Sequence, residues 1–259
     1  MNAGFSTLRR IPRGIWALGF VSLLMDISSE MVHGLLPVFL VGSLGASVFM
    51  VGLIEGAGES TALIIKVFSG ALSDYWGKRK PLALLGYGLG ALSKPLFALA
   101  PSAGFVLAAR LTDRVGKGLR GAPRDALVAD ITPVEMRGAA FGLRQSLDTA
   151  GAFLGPLLGI GLMLLWANDF RAVFWVAIIP GALAVVLLFF GVQEPQRART
   201  EMRVNPIRRT NLRRLSTAYW RVVGIGALLM LARVSEAFLI LRAVERGLPA
   251  AYAPLGLVA

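Results

Sequence analysis

The sequence contains no cysteine and only one histidine, and charged residues make up just 16% of its 259 residues. Without cysteine the chain cannot form disulfide bonds, thiolate metal sites or a thiol nucleophile. One histidine is too few for an ordinary zinc site, so we expect neither a metal nor another cofactor. The scarcity of charge accompanies 56% hydrophobic residues and a mean hydropathy of +0.67, a composition typical of membrane proteins.

Basic residues outnumber acidic ones, 27 to 15, which gives a net charge of +12. Such a balance can indicate nucleic-acid binding, but nucleic-acid-binding proteins gather Lys and Arg on one folded polar surface. Here the basic residues lie between apolar runs, so we expect no nucleic-acid partner. The sequence also shows no pairing of nucleophile and base, no metal-ligand set and no phosphate loop, and we therefore expect no enzymatic activity.

Long apolar runs recur along the whole chain, and a helix needs about 20 such residues to cross roughly 30 Å of hydrocarbon. The runs begin near Gly14, Ala46, Pro81, Ser102, Gly138, Ala172 and Tyr219. The first run is too long for a signal peptide and contains Asp26 and Glu30, so it is interpreted as a retained span. The sequence therefore predicts an all-α, polytopic membrane protein embedded in a lipid bilayer.

The connections between the runs alternate in charge. Basic residues precede span one and follow spans two, four and six, whereas residues 41–47 and 100–102 contain none and the connection after span five has only Arg171. The basic groups are Arg9, Arg10 and Arg13; Lys78, Arg79 and Lys80; Arg120, Arg124 and Arg137; and seven arginines from Arg197 to Arg214. By the positive-inside rule, the amino terminus and every second connection are cytoplasmic.

The composition divides the chain into three parts. Residues 1-192 contain the first six runs and are predicted to form one helical bundle; residues 193-218 are polar and arginine-rich. The second part is predicted to be a cytoplasmic linker that can also contact anionic lipid. Residues 219-259 begin a second bundle, with span seven and part of an eighth run that starts at about Leu248.

Ionisable side chains inside the apolar runs are the strongest indication of a functional site. Charged groups are unfavourable at bilayer depth and usually face a bundle interior or a water-filled cavity. In span one, Asp26, Glu30 and His33 have offsets of four and seven, which puts them on one helical face. The candidate cavity residues are Asp26, Glu30, His33, Glu55, Glu59, Arg110, Asp113, Arg114, Gln145 and Asp148.

These residues belong to spans one, two, four and five, whereas span three has only Lys94 and span six has none. The distribution predicts that spans one, two, four and five surround a polar interior while spans three and six face lipid. The alternative is that the charges only fasten helices through ion pairs, such as Glu59 with Lys66 or Arg144 with Asp148. Two acids on span one and two arginines on span four exceed what fastening requires, so we favour a polar pathway.

A glycine-containing polar stretch follows span two and reads Gly70-Ala-Leu-Ser-Asp74-Tyr-Trp-Gly77-Lys78-Arg79-Lys80. Its glycines permit close helix approach, and its cations suit a cytoplasmic connection. The stretch resembles the loop signature of the major facilitator superfamily in both pattern and position, although Tyr75 stands where that family has a basic residue. The resemblance implies that Gly70, Asp74, Gly77, Lys78 and Arg79 control closure on the cytoplasmic side.

Span five has a second pattern of small residues and one proline. The residues are Gly142, Gly151, Gly155, Pro156 and Gly159. They resemble the antiporter motif of drug and proton exchangers in the same superfamily, but Ile160 stands where the motif has a glycine. Ordinary small-residue helix packing is the alternative explanation. Pro133 to Gly142, and Arg110 with Gly116 and Gly118, are also similar to the family, so that the resemblance covers essentially the whole chain.

The resemblance implies a six-helix amino-terminal bundle of the major facilitator type, followed by the start of a second bundle, in a bacterial inner (plasma) membrane. The implied function is secondary active transport of a small solute, coupled to protons, with export by antiport favoured over uptake. Asp26 and Glu30 are the expected protonatable pair, because burial and mutual repulsion favour the neutral acid. Arg110 and Arg114 are their expected counter-charges.

Members of the superfamily have twelve spans, and alternating access requires two bundles that move against each other. A transporter would therefore need a carboxy-terminal half that these 259 residues do not include, or a partner subunit. The other hypothesis is a non-transporting membrane protein, such as a receptor, a scaffold or an inactive truncated fragment.

Overall fold

The computed structural model describes residues 11–194, 216–231 and 235–257. Arg9, Arg10 and the arginines from Arg197 to Arg214 lie outside the described residues, so the predicted linker and the division of the chain into three parts stay predictions. Within the described ranges all regular structure is helical, which confirms the all-α bundle.

Eight helices follow one another along the described chain. They are α1 (Arg13–His33), α2 (Val48–Trp76), α3 (Lys80–Leu99), α4 (Ala103–Ile131), α5 (Arg137–Leu165), α6 (Phe170–Gly191), α7 (Thr217–Leu231) and α8 (Glu236–Glu245). Helix α1 continues through Leu36–Val38 and a π-helical turn, Phe39–Ser43. Helix α6 consists of the segments Phe170–Val176 and Ile178–Gly191, and the chain ends in a 3-10 helix, Ala250–Leu257.

Short polar residues begin several of these helices. The Ser47 hydroxyl accepts a hydrogen bond from the Met50 amide at the start of α2, and Ser102 does the same for the Phe105 amide in α4. The Asp169 carboxylate accepts from two amides in the first turn of α6. Gly77 ends α2 with φ of +64°, a left-handed conformation that glycine adopts without strain. The tight connection to α3 depends on that glycine.

Five helices are long and apolar enough to cross a membrane, namely α1 with its π-helical extension, α2, α3, α5 with the turn before it, and α6. Helix α4 has 29 residues, which is ample length, but its charged side chains keep it out of that group. It corresponds to span four, whose apolar run the charges interrupt. Helix α7, near the predicted span seven, is shorter than these five, and its apolar part is Thr217–Leu229.

The first six helices pack as two interlocked groups. Helix α1 lies against α5 and α6, whereas α4 lies against α2 and α3. Glycines allow the closest contact, between α3 and α4: a Cβ atom at Gly116 would lie 2.6 Å from the carbonyl oxygen of Gly86. Backbones that approach so closely bring the side chains on either side of them into direct contact.

Two apolar clusters fill the bundle. One includes Met31, Phe39 and Phe174, and the other includes Leu18 and Tyr87. On α3 and α4 the buried polar residues fall between the stretches that supply these clusters, whereas on α1 the buried serines lie within those stretches. The bundle therefore has a polar layer between two apolar ones.

Residues 235–257 cover one end of the first bundle. The Phe238 ring of α8 lies on Gly52 of α2, where a Cβ atom would come within 2.9 Å of Cζ. Ile240, Val38 and Ala253 form a small buried cluster with neighbouring apolar residues. The eighth apolar run that begins near Leu248 continues as the 3-10 helix, which packs against α5.

Candidate functional site

A cavity of about 270 Å³ lies among α1, α2, α4 and α5, the four helices on which the sequence places most of the ionisable residues. Most of the side chains that line it are themselves ionisable. The acidic ones are Asp26, Glu30, Glu59 and Asp148, and the basic ones are Lys66, Lys117, Arg120 and Arg124. Four of these eight were candidates from the sequence, and the four basic ones were not.

The ionisable residues of α1 lie on one face of the helix, the face toward α2 and α4. Asp26 and Glu30 line the cavity, and His33 lies one turn beyond, with its Nδ1 3.7 Å from a Glu30 carboxylate oxygen. The His33 Nε2 is 3.3 Å from an Asp113 carboxylate oxygen on α4. His33 therefore connects the edge of the cavity with a buried layer of charge.

Asp113 is the centre of that buried layer and is only 2% exposed. One of its carboxylate oxygens accepts hydrogen bonds from Lys94 Nζ at 2.8 Å and from the Ser93 hydroxyl at 3.1 Å. Lys94 Nζ also donates to the Ser29 hydroxyl of α1 at 3.2 Å. The prediction that span three faces only lipid is wrong here. Lys94 continues the face of Gly86, Gly90 and Ser93 that packs on α4.

Helices α2 and α4 are joined by two ion pairs. Arg110 binds Glu55, and Arg114 Nη1 is 3.1 Å from a Glu59 carboxylate oxygen. Gly58 makes room for both arginines, since a Cβ atom there would lie 3.2 Å from the Cγ of each. Arg110 and Arg114 thus pair with acids of α2, and their expected role as counter-charges of Asp26 and Glu30 stays a prediction. Glu59, in turn, pairs with Arg114 rather than with Lys66.

The second half of α4 brings further cations to the cavity. Arg120 and Arg124 were expected around the connection after span four; they lie within α4, which continues to Ile131, and the connection is residues 132–136. The Arg120 guanidinium lies 4.8 Å from the centre of the Tyr87 ring. The signal was present in the sequence: Lys117, Arg120 and Arg124 follow Asp113 at offsets of four, seven and eleven, which fall on one helical face.

Helix α5 contributes a short polar chain. Asp148 lies 3.5 Å from Arg144 and 3.7 Å from Arg124, measured between its Oδ1 and the nearer guanidinium nitrogens. Gln145 accepts a hydrogen bond from Arg144 and donates one to Asp148 at 3.4 Å. The pair of Arg144 with Asp148 within one helix, which the sequence suggested, is present, but Asp148 also faces the cavity.

The glycines of the antiporter-like pattern differ in their surroundings. A Cβ atom at Gly151 would lie 2.5 Å from the Leu23 carbonyl oxygen, and one at Gly155 would lie 2.8 Å from Glu30 Cβ. Gly159 makes only ordinary contact with α1, and a Cβ atom at Gly142 would meet no atom of another helix within 4 Å. Gly151 and Gly155 therefore hold α5 against the acidic face of α1, and Pro156 is buried beside them.

The stretch from Gly70 to Lys80 comprises the last turns of α2 and the turn to α3, and its contacts join the ends of four helices. Arg79 binds Asp74 at 3.2 Å and Asp130 of α4 at 2.9 Å. The Glu194 carboxylate, just after α6, accepts hydrogen bonds from the amides of Arg79 and Lys80 at 2.7 and 2.6 Å. Gly70 lies against α4, with a Cβ position 3.3 Å from Ala122 Cβ, whereas Lys78 is exposed. Asp130 and Glu194 were missed from the sequence because their partners lie more than 50 residues away.

No group of three or more His, Cys, Asp or Glu side chains suited to a metal ion occurs in the part of the chain that the structure describes. The carboxylates that converge here each lie beside a cation or beside another carboxylate, and neighbouring lysines and arginines repel a metal ion. The arrangement suits reversible proton binding and the binding of a charged or polar solute in the cavity.

Comparison with known sequences shows the family of the chain. Residues 18–259 match the family described as Major Facilitator Superfamily. The chain is 34% identical over 238 residues to an uncharacterized MFS-type transporter of Methanocaldococcus jannaschii, a match that covers 92% of this chain and 58% of that protein. It is 32% identical over 162 residues to the multidrug resistance protein MdtH of Photorhabdus laumondii, covering 62% of this chain and 39% of that protein.

Solved structures share the fold. A bacterial homolog of the human lysosomal transporter Spinster, in an inward-facing and occupied conformation, matches with a TM-score of 0.63 at 19% identity over 72% of this chain and 45% of that chain. A POT family transporter in complex with a thioalcohol conjugated peptide matches with a TM-score of 0.66 at 18% identity over 93% of this chain and 49% of that chain. This chain thus spans about half the length of the proteins that it resembles.

Proposed function

Because this chain belongs to the major facilitator superfamily, we propose that it forms the amino-terminal bundle of a secondary active transporter that moves a small solute in exchange for protons. The observation that carries the proposal is the cavity of about 270 Å³, lined by eight ionisable side chains within a bundle of apolar helices. Ionisable groups at bilayer depth are retained where a solute or a proton has to pass. A second bundle would form the opposite wall and supply the movement.

Asp26 is the best-placed proton carrier. It lines the cavity and forms no ion pair with any described lysine or arginine. It shares the wall of the cavity with Asp148, and two carboxylates that line one small cavity repel each other when both are charged. Glu30, one turn away, has His33 as its neighbour and forms the second member of the pair.

Export is favoured over uptake by two observations. Gly151 and Gly155 of the antiporter-like pattern pack against Asp26 and Glu30, so that movement of α5 would change the surroundings of both acids. One group of relatives carries the name multidrug resistance protein. We therefore propose that proton binding on α1 is linked to solute release through the contact between α1 and α5.

Flux into everted membrane vesicles under an imposed pH gradient, with this chain completed by a second bundle, tests this proposal. The probes are radiolabelled phosphate, citrate, tetraphenylphosphonium and glucose, which span anionic, cationic and neutral solutes. We expect one of them to accumulate with the gradient, and Asp26→Asn and Glu30→Gln to abolish that accumulation. Glu245→Gln, which removes an exposed carboxylate on α8, is the matched control and should behave as the wild type. Unchanged pH-driven flux in both cavity variants would refute the proton role.

The alternative of a non-transporting receptor, scaffold or inactive fragment makes a different prediction about the gene. A reading frame that continues beyond codon 259 through further apolar spans, or a separate gene for a matching bundle, supports the transporter. The membrane topology is testable on the same chain: tags at Gly45 and Lys78 should report opposite compartments. The same compartment for both would contradict the proposed arrangement of spans.

A further inference from the structure

Three cations in the cavity stand apart from the ion pairs of the described residues. Lys66, Lys117 and Arg120 all line it, and none of them forms an ion pair with a described residue. Unpaired cations at bilayer depth are costly, and they are expected only where water or an anionic ligand compensates them. Their convergence on one cavity is therefore the feature that needs an explanation.

Arg120 is the most constrained of the three. It is only 6% exposed, its guanidinium lies over the Tyr87 ring, and its Nη1 is buried without a hydrogen-bond partner. The Nη1 side is held against α3, where a Cβ atom at Gly90 would come within 2.8 Å. Packing of this kind fixes the plane of the guanidinium. A fixed planar group with several donors suits the oxygen atoms of a carboxylate or phosphate.

The two lysines are placed to reach the same ligand. The Lys66 side chain lies across Gly121 of α4, with Cε 3.5 Å from the Cβ position of that glycine. Gly118, one turn earlier, brings α2 and α4 so close that a Cβ atom there would lie 2.7 Å from Ile65 Cβ. Lys66 and Lys117 are both exposed to the cavity, so their ammonium groups are free to move toward a bound solute.

The acids of the cavity are already engaged, with one exception. Glu59 binds Arg114 of the buried layer, Asp148 lies between Arg124 and Arg144, and Glu30 faces His33. Asp26 has no ion-pair partner within the described ranges and the neighbour of Glu30 is a histidine, whereas the cations without an ion-pair partner number three. The charge available to a ligand is therefore positive, although acids and bases line the cavity in equal number.

We propose that this cavity binds an anionic group, a carboxylate or a phosphate, of the transported solute, with Arg120 as the fixed ligand and Lys66 and Lys117 as mobile ones. This inference rests on the proposed transport function and names its substrate class. The alternative is that the solute is a lipophilic cation held by Asp26 and Glu30.

Thermal unfolding of the purified 259-residue chain in lipid nanodiscs tests the site without requiring transport. The probes are inorganic phosphate, citrate and tetraphenylphosphonium, each titrated at constant ionic strength with chloride as the balancing anion. We expect phosphate or citrate to raise the unfolding temperature in a saturable way and tetraphenylphosphonium to have no such effect. Comparison of the two anions distinguishes a phosphate ligand from a carboxylate ligand.

Substitutions then assign the effect to the cavity. Lys117→Gln and Lys66→Gln should each raise the half-maximal anion concentration at least tenfold, and Arg120→Lys should do so while keeping the charge. Arg242→Gln removes an exposed arginine on α8, outside the cavity, and should leave the titration unchanged. Saturable stabilisation by tetraphenylphosphonium alone, or an anion response equal in Lys117→Gln, Lys66→Gln and Arg242→Gln, overturns the proposal.

The two proposals can fail separately. An anion response that depends on Lys117, without gradient-driven flux of any probe, supports the anion site and counts against transport. Flux that depends on Asp26 and carries tetraphenylphosphonium but neither anion supports transport and overturns the anion site.

Discussion

The two halves of α4 carry similar charges in different ways. In the first half, every charged side chain from Arg110 to Arg114 has an ion-pair partner, and these partners lie on α1, α2 and α3. In the second half, Arg124, Asp125 and Asp130 also form ion pairs, but Lys117 and Arg120 face the cavity and pair with none of the residues described. Charge within an apolar bundle is thus not by itself a mark of function; Lys117 and Arg120 differ from the other charges of α4 because no ion pair of the described residues engages them.

Substitution of Asp113 by asparagine tests the first half and should have the largest effect. It would leave Lys94, which has no exposed surface, without its counter-charge. Removing one member of a buried ion pair costs about 3–5 kcal/mol, so we expect a marked fall in the unfolding temperature. The double variant of Asp113→Asn with Lys94→Met removes both charges and should recover most of the loss. Wild-type stability in Asp113→Asn alone would show that the first half is not a locked network.

Substitution of Gly116 by alanine tests the boundary between the halves and should have an intermediate effect. The added Cβ atom would meet backbone atoms of α3 at Gly86 and Gly90, which cannot rotate away. Overpacking of this kind costs about 1–3 kcal/mol. Gly104→Ala, on the same helix with no neighbouring atom within 4 Å, is the control and should be neutral or slightly stabilising. Thermal unfolding measures both, and equal stability of the two variants would contradict the close approach.

Substitution of Lys117 by glutamine tests the second half and should have the smallest effect on stability. Because Lys117 faces the cavity and pairs with no acid among the described residues, we expect a change within about 0.5 kcal/mol. The unfolding temperature without added anion is the measurement. A fall comparable with that of Asp113→Asn would place Lys117 in the satisfied network and remove the contrast between the halves.

Most of the fold could be predicted from the sequence, because long apolar runs and short polar connections leave few alternatives for a membrane chain. The exception is the end of α4, because Arg120 and Arg124 were assigned to the basic residues around the next connection and not to the cavity. Hydropathy averages over a window and does not register that both residues share a face with Asp113 and Lys117. The helical period did carry this information.

The candidate site could be predicted only in part. The acids Asp26 and Glu30 were evident because they interrupt an apolar run at helical spacing, whereas the partner of each charge was not. The ion pairs of Arg110 and Arg114 depend on which helix packs against α4, and no pattern within α4 specifies this. Lys94 was interpreted as peripheral because it is alone on its span, yet one lysine can bind a buried carboxylate from a neighbouring helix.

The Glu194 carboxylate, which accepts hydrogen bonds from the first amides of α3, has a mechanical consequence. The chain leaves the six-helix bundle from a point that is fastened to the start of a different helix, and Lys80 adds a second fastening at the carbonyl of Phe189. Tension on residue 195 would therefore reach α3 and the turn at Gly77 directly, without first displacing the apolar contacts of α6. The last described residue of the six-helix bundle is thus joined to the start of α3 by hydrogen bonds as well as to α6 by the chain.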